Sequence, residues 1–301
     1  MVAFAPVEQV DALEYRLNDS PSRPLSFRED RKRIANDGDF NVEIHRDLLQ
    51  PGENELRVVA KLASAKVIRS TVKIDYVADA PKWPLPYSVD WSKVERIDDA
   101  IQVVDGKWEL SADGIRSRER YYDRDVAFGD ATWRNYEVST TVKVHALTGP
   151  REGPNTTGVT HAAIALRWPG HDPDGKQPSV KWHPLGATAE FRLGKNLSQC
   201  RWRIFDGQRK YYAESQKRRK LEFERWYKMK HRVQTLEDGR SHYQVKLWPS
   251  GEPEPAVWDF ERFEPSTDFQ EGSALLLAHH SDVTFGNISV IALPQVATKT
   301  D

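Results

Sequence analysis

The sequence predicts an all-β protein made of two sandwiches in tandem, and three observations carry that prediction. Helical periodicity is scarce: the long polar stretch Glu214–Arg225 (ESQKRRKLEFER) has helical composition but no apolar stripe at i, i+3, i+4 spacing. Short runs of alternating apolar and polar residues, bounded by Gly, Asp, Asn and Pro, recur along the chain. Between two sets of such runs lies Ala78–Pro86 (ADAPKWPLP), whose three prolines interrupt the pattern and stiffen a connector.

Before that connector, Phe40–Ile44 (FNVEI), Glu55–Ala60 (ELRVVA) and Ser70–Tyr76 (STVKIDY) read as strands. Alternation gives Val42 and Ile44 one face, and puts Leu56 and Val58 on the inner face of another strand. Leu49–Asn54 (LQPGEN) offers Pro51-Gly52 for the central positions of a type II turn. These elements suit a small immunoglobulin-like sandwich over residues 1–79, followed by a linker at 80–86. The remaining 87–296 has the size of a two-sheet jelly roll, with a short tail at 297–301. Its strands include Tyr136–Val144 (YEVSTTVKV), Ala162–Trp168 (AAIALRW) and Tyr243–Trp248 (YQVKLW), the last joined to Tyr227–Val233 by a Glu237-Asp238-Gly239 turn.

Within this second part, Asp105–Val144 (DGKWELSADGIRSRERYYDRDVAFGDATWRNYEVSTTVKV) resembles the opening strands of concanavalin-A-like lectin/glucanase and laminin-G-like jelly rolls, with a G-x-W…D-G strand pair followed by W-x-x-Y-E-V. Trp226–Val233 (WYKMKHRV), Tyr243–Trp258 (YQVKLWPSGEPEPAVW) and Gly272–Val290 (GSALLLAHHSDVTFGNISV) look like that superfamily's late hairpin and last strand. The resemblance implies glycan recognition or glycan chemistry on one sheet face, an extracellular or cell-surface setting, and a structural calcium held by an Asp at the start of the last strand. Asp282 matches that position, with Asp105 and Asp90 as weaker partners. The glucanases' E-x-D-x-x-E strand motif is absent, as is an alginate-lyase-like Q-x-H. Both departures set recognition ahead of catalysis, because function resides in the site and not in the fold.

Composition narrows the rest. One cysteine, Cys200, excludes internal disulfides and multi-thiolate metal sites. No apolar run approaches the roughly 18–20 residues of a membrane-spanning helix, and Met1–Val10 (MVAFAPVEQV) lacks the features of a secretory signal. The Lys217–Lys220 run (KRRK) comes without a nucleic-acid-binding signature, so no nucleic-acid partner is expected. The triplets at Asn155, Asn196 and Asn287 match the glycosylation pattern, which arises often by chance, and His171–Gly175 (HDPDG) reads as a turn.

The net charge of −1 conceals an asymmetry. Residues 176–250 hold 18 Lys and Arg against 7 Asp and Glu, whereas 251–301 hold 2 against 9. Alternation directs the basic set outward: with Leu166, Phe191, Trp202 and Val245 facing the core, Arg167, Glu190, Arg192, Arg201, Arg203, Lys230, Arg232, Gln244, Lys246 and Trp248 face solvent. If those strands share one sheet, its concave face is a basic groove with an aromatic platform. Guanidinium groups take carboxylates or sulfates bidentately, so the leading expectation is a polysaccharide or oligosaccharide partner, acidic in character. The bland alternative is an ordinary solvated sheet face. The enzymatic alternative, a polysaccharide lyase or glycoside hydrolase, would draw on Glu190, His161 and His231 with an arginine and a tyrosine. Adjacent His279 and His280 point to opposite faces, so at most one joins a common site. A third reading is a structural or adhesive protein.

Overall fold

The computed structural model describes residues 6–30, 32–78, 83–147, 160–170, 186–208 and 210–294. Two compact units result, with the main division between residues 82 and 83. The described residues form strands and one-turn 3-10 segments, with no α-helix among them. Asn155 and the His171–Gly175 motif lie outside the described residues, as does part of the linker.

In the first unit, β1 (Val10–Leu17), β2 (Arg23–Pro24), β3 (Gly52–Leu62) and β4 (Val67–Tyr76) form one antiparallel sheet in the order β2-β1-β3-β4. Alternation sends Leu13, Tyr15 and Leu17 of β1 and Leu56, Val58, Ala60 and Leu62 of β3 into a small core. Gly52 has φ 86°, as the second central position of a type II turn requires. The expected strand Phe40–Ile44 is irregular, although Phe40, Val42 and Ile44 pack on the core beside Phe27 and Leu49. The segment before it is held by local bonds instead of a ladder: the Asp30 carboxylate accepts from the Lys32 and Ile34 amides, and Asp37 accepts from the Glu29 amide. Such side-chain bonds compete with a ladder for the same backbone. One sheet under an irregular cover therefore stands where two facing sheets were expected.

Among the described residues, fifteen strands build the second unit: β5 (Tyr87–Val89), β6 (Gln102–Val103), β7 (Trp108–Ser111), β8 (Gly114–Ser117), β9 (Arg124–Phe128), β10 (Tyr136–Leu147), β11 (His161–Trp168), β12 (Ala187–Arg192), β13 (Arg201–Phe205), β14 (Tyr212–Glu214), β15 (Trp226–Thr235), β16 (Ser241–Pro249), β17 (Phe260–Glu264), β18 (Ser273–His279) and β19 (Ser281–Ala292). The eight-stranded sheet runs β17-β16-β15-β10-β19-β8-β7, with β5 also on β19; the seven-stranded sheet runs β14-β13-β12-β11-β18-β9-β6. Apolar residues from both sheets meet in one core, among them Ile164, Phe191 and Leu276 on one side and Val138, Met229, Tyr243 and Phe285 on the other. Each such side chain contributes about 1.5–3 kcal/mol by leaving water.

Turn chemistry sets the hairpins. Thr235 pairs with Ser241 across the expected turn, where Gly239 sits at φ 80°. Gly114 opens β8 so close to β19 that a Cβ there would lie 2.0 Å from the Phe285 carbonyl oxygen. A single residue, His280 at φ 49°, joins β18 of one sheet to β19 of the other.

The topology corrects the single basic face. Arg167, Glu190, Arg192, Arg201 and Arg203 belong to the seven-stranded sheet, whereas Lys230, Arg232, Gln244, Lys246 and Trp248 belong to the eight-stranded one. Arg167 apart, the two sets point away from each other, since the apolar residues alternating with them share the core between the sheets.

Candidate functional site

Cross-strand register assembles a row of ionisable residues on the outward face of the seven-stranded sheet. His161 of β11 stands opposite Arg192 of β12 and His279 of β18, Glu190 opposite Arg203 of β13, and Arg203 opposite Glu214 of β14. Asp123, just before β9, reaches the same row beside His279. Neighbouring strands lie about 4.7–4.9 Å apart, so side chains at such positions touch.

At one end of the row is an arginine triad. Glu214 accepts from Arg192 at 2.5 Å, from Arg203 Nε at 2.7 Å and from Arg201 Nε at 3.1 Å. Burial alone raises the Glu214 carboxyl, but hydrogen bonds from Arg203 and Arg192 and the charges of Arg203 and Arg201 outweigh it and hold the group at about 2. Burial and the Arg203 charge push the Arg192 guanidinium below its ordinary value. Among the described ion pairs, Glu214 is the one carboxylate serving all three arginines, whose side chains keep 16–23% exposure. Arg203 lies over the Tyr212 ring at 4.2 Å, and Tyr211 and Tyr212 are both well exposed.

The other end is a buried imidazole–carboxylate cluster. His279 Nδ1 is 2.5 Å from Asp123 Oδ1. The His161 and His279 rings stack at 4.6 Å with 3° between their planes. His161 has Asp123 3.8 Å from its Nε2 and Glu190 3.8 Å from its Nδ1. Tyr122 meets the His279 ring edge-on at 4.8 Å. All four ionisable members are at most 6% exposed. An imidazole flanked by two carboxylates has the donors and acceptors to move a proton or to ligate a cation.

The outward face of the eight-stranded sheet differs. Glu137 pairs with Lys230 at 2.7 Å and Arg232 at 2.6 Å, and Glu254 pairs with Lys230 at 2.8 Å and Lys246 at 2.6 Å. Burial disfavours the Lys230 charge, yet Glu137 and Glu254 raise its pKa above the ordinary value. Gln244 donates to Glu261 at 3.3 Å. Trp248 is 4% exposed, with Lys246 and Lys230 over its ring. The expected aromatic platform is therefore covered, and the acidic C-terminal segment neutralises the basic one before it.

Two further expectations take structural roles. Arg167 is wholly buried at φ 57° and donates to the carbonyls of Arg134 and Phe269 and to the hydroxyls of Ser241 and Thr235. These bonds tie β11 to β15 and β16 across the sandwich, and leave Arg167 out of the outward row. His231 points into the core and donates Nδ1–H to the Ile164 carbonyl at 2.9 Å. Burial pushes it down to about 3, a neutral tie between sheets that is remote from any proton transfer at a surface.

The aspartates expected to hold calcium are engaged elsewhere. Asp282 takes Arg116 bidentately at 2.7 Å on both oxygens, with Arg120 at 3.6 Å. Asp90 caps a 3-10 turn through Ser92 and pairs with Lys93, while Asp105 accepts from the Gly106 amide and faces Arg124 at 3.8 Å. Calcium needs six to eight oxygen ligands, and a guanidinium on both oxygens of Asp282 repels a cation there. The residues do not fit the ion.

Sequence reasoning missed Asp123, which lies in a charged run without period, and Glu214, which lies in the stretch read as polar and featureless. Of the two adjacent histidines, His279 joins the row and His280 occupies the turn.

No protein-family model matches the chain, and no curated protein matches it. Solved structures resemble it at low identity. The Crh5 transglycosylase in complex with NAG is 8% identical, with 71% of this chain and 86% of that chain covered at a TM-score of 0.44. The VIP36 exoplasmic/lumenal domain in its Ca2+/Man2-bound form is 12% identical, over 71% and 90%, at 0.43. The alginate lyase Aly36B is 10% identical, over 71% and 99%, at 0.41. At such values no residue role passes from those proteins to this one.

Proposed function

We propose that this protein binds an anionic polysaccharide, with Arg192, Arg201 and Arg203 as the contacts for its carboxylates or sulfates. One observation carries the reading: three partly exposed guanidiniums share the single carboxylate of Glu214 among the described ion pairs. Like charges held this close repel, and a ligand anion relieves the repulsion while accepting charge-assisted hydrogen bonds worth about 1.5–3 kcal/mol each. Exposed Tyr211 and Tyr212 supply flat surface beside the triad for the apolar side of a sugar ring. Recognition is favoured over catalysis because His161, Glu190 and His279 are at most 6% exposed, which denies a polymer direct access to them.

Affinity electrophoresis through gels containing polyuronate, sulfated polysaccharide or neutral glucan tests this. Retardation in the anionic gels that weakens with added salt is the expected result. Equal migration in all three gels overturns the reading. New reducing ends or unsaturated uronide absorbance in the same samples would move the assignment to an enzyme built on the buried end of the row.

A further inference from the structure

We infer that Asp123, His161 and His279 form a binding site for a divalent transition metal, with zinc as the reference ion. The three come from three adjacent positions across the seven-stranded sheet: the lead-in to β9, the first residue of β11 and the last of β18. One ligand atom from each lies within 4.8 Å of the others, and all three residues are at least nine-tenths buried. Zinc with bonds of about 2.0–2.1 Å holds tetrahedral ligand atoms about 3.3 Å apart. The separations from Asp123 Oδ1, 2.5 Å to His279 Nδ1 and 3.8 Å to His161 Nε2, bracket that value.

Ligand chemistry selects the class of ion. Two imidazoles and one carboxylate suit zinc and its first-row neighbours and disfavour calcium or magnesium, which take oxygen ligands. Glu190 completes the pattern. It lies 3.8 Å from His161 Nδ1, the ring nitrogen opposite the one facing Asp123. A carboxylate behind a metal-ligating histidine fixes the ring's tautomer and raises its basicity. The parallel stacking of the two rings sets one condition. A metal lies near the plane of each imidazole it binds, so one ring must turn about its Cβ–Cγ bond, a broad torsion with little resistance of its own. Three protein ligands leave a fourth position for water.

This site is independent of the polysaccharide reading, and its test uses no glycan. The full chain, stripped with a chelator, is titrated with zinc by calorimetry and with cobalt by visible absorption. One equivalent taken up per chain, with the intense bands of four-coordinate cobalt, is expected. His161→Ala and Asp123→Asn each weaken uptake by about 100-fold or more, and Glu190→Gln weakens it by about 10–100-fold while keeping the stoichiometry. Should the variants fail to fold, ring-nitrogen spectra of the natural sequence labelled at histidine decide. Zinc shifts most the ring-nitrogen resonances of two of the nine histidines, and cobalt broadens those two together with His280, whose ring lies 4.4 Å from that of His279. Absence of stoichiometric uptake, uptake that survives both ligand substitutions, or shifts spread over other histidines overturns the assignment.

Discussion

On the eight-stranded sheet, Lys230, Arg232 and Lys246 stand against Glu137 and Glu254, whereas on the seven-stranded sheet Arg192, Arg201 and Arg203 stand against Glu214. Both outward faces are rich in cations. The first gains its carboxylates from β10 and from the acidic segment after β16, so its charges are spent inside the molecule. In the second, Glu214 of the neighbouring strand alone serves three arginines among the described ion pairs, where the first face sets two carboxylates against its three cations. A count of basic residues along a sequence therefore does not locate a binding face; the balance of local pairing does.

Four experiments break or sharpen that contrast. The largest effect is expected from an arginine that belongs to neither face. Arg167→Ala strands two carbonyls and two hydroxyls in the sandwich, and should cost about 3–5 kcal/mol of stability by urea unfolding. An unchanged midpoint would return Arg167 to the surface. Next comes the triad: the double variant Arg192→Ala/Arg203→Ala should weaken retention in polyuronate gels by about 100-fold, while Lys246→Ala, on the opposite face, leaves retention alone. Equal losses from both would erase the distinction between the faces.

Third is His231. Its folded pKa, about 3, lies below the ordinary 6.5, so the neutral ring's contribution is whole above 6.5 and is lost as pH falls toward 3. Between pH 7 and pH 5 this amounts to about 2 kcal/mol. His231→Gln keeps a donor for the Ile164 carbonyl and should remove that part of the pH dependence, and a variant as acid-sensitive as the parent would refute the assignment. The smallest effect concerns calcium. With Asp282 held by Arg116, millimolar calcium should leave the melting temperature where it was, and a clear rise would reinstate the ion.

Much of this architecture was legible. The strands Tyr136–Val144, Ala162–Trp168 and Tyr243–Trp248 lie within β10, β11 and β16, and their alternating apolar residues, up to Leu166 in the second strand, face the core as alternation requires. An irregularity after Leu166 turns Arg167 inward against it. Sheet membership was not legible, because it depends on crossovers that local pattern does not encode: β10 pairs with β15, ninety residues on, while β11, β12 and β13 continue the other sheet. The triad was half legible. Its arginines follow from strand parity, but Glu214 belongs to a three-residue strand with no period to read. Asp123 and His279 meet only through the pairing of β9 with β18, over 150 residues apart in sequence.

The one-residue connection at His280 has a mechanical consequence. Because β18 ends at His279 and β19 begins at Ser281, the histidine cluster occupies the corner where the two sheets are stitched together, and the Ser281 hydroxyl fastens that corner to the His161 carbonyl at 2.9 Å. The His279 side of the cluster, so placed, cannot loosen by fraying of a loop. It disassembles only when the sandwich itself comes apart, so the amides of 279–281 belong to the slowest-exchanging class of the molecule, and substitutions that weaken either sheet reach the cluster through its scaffold.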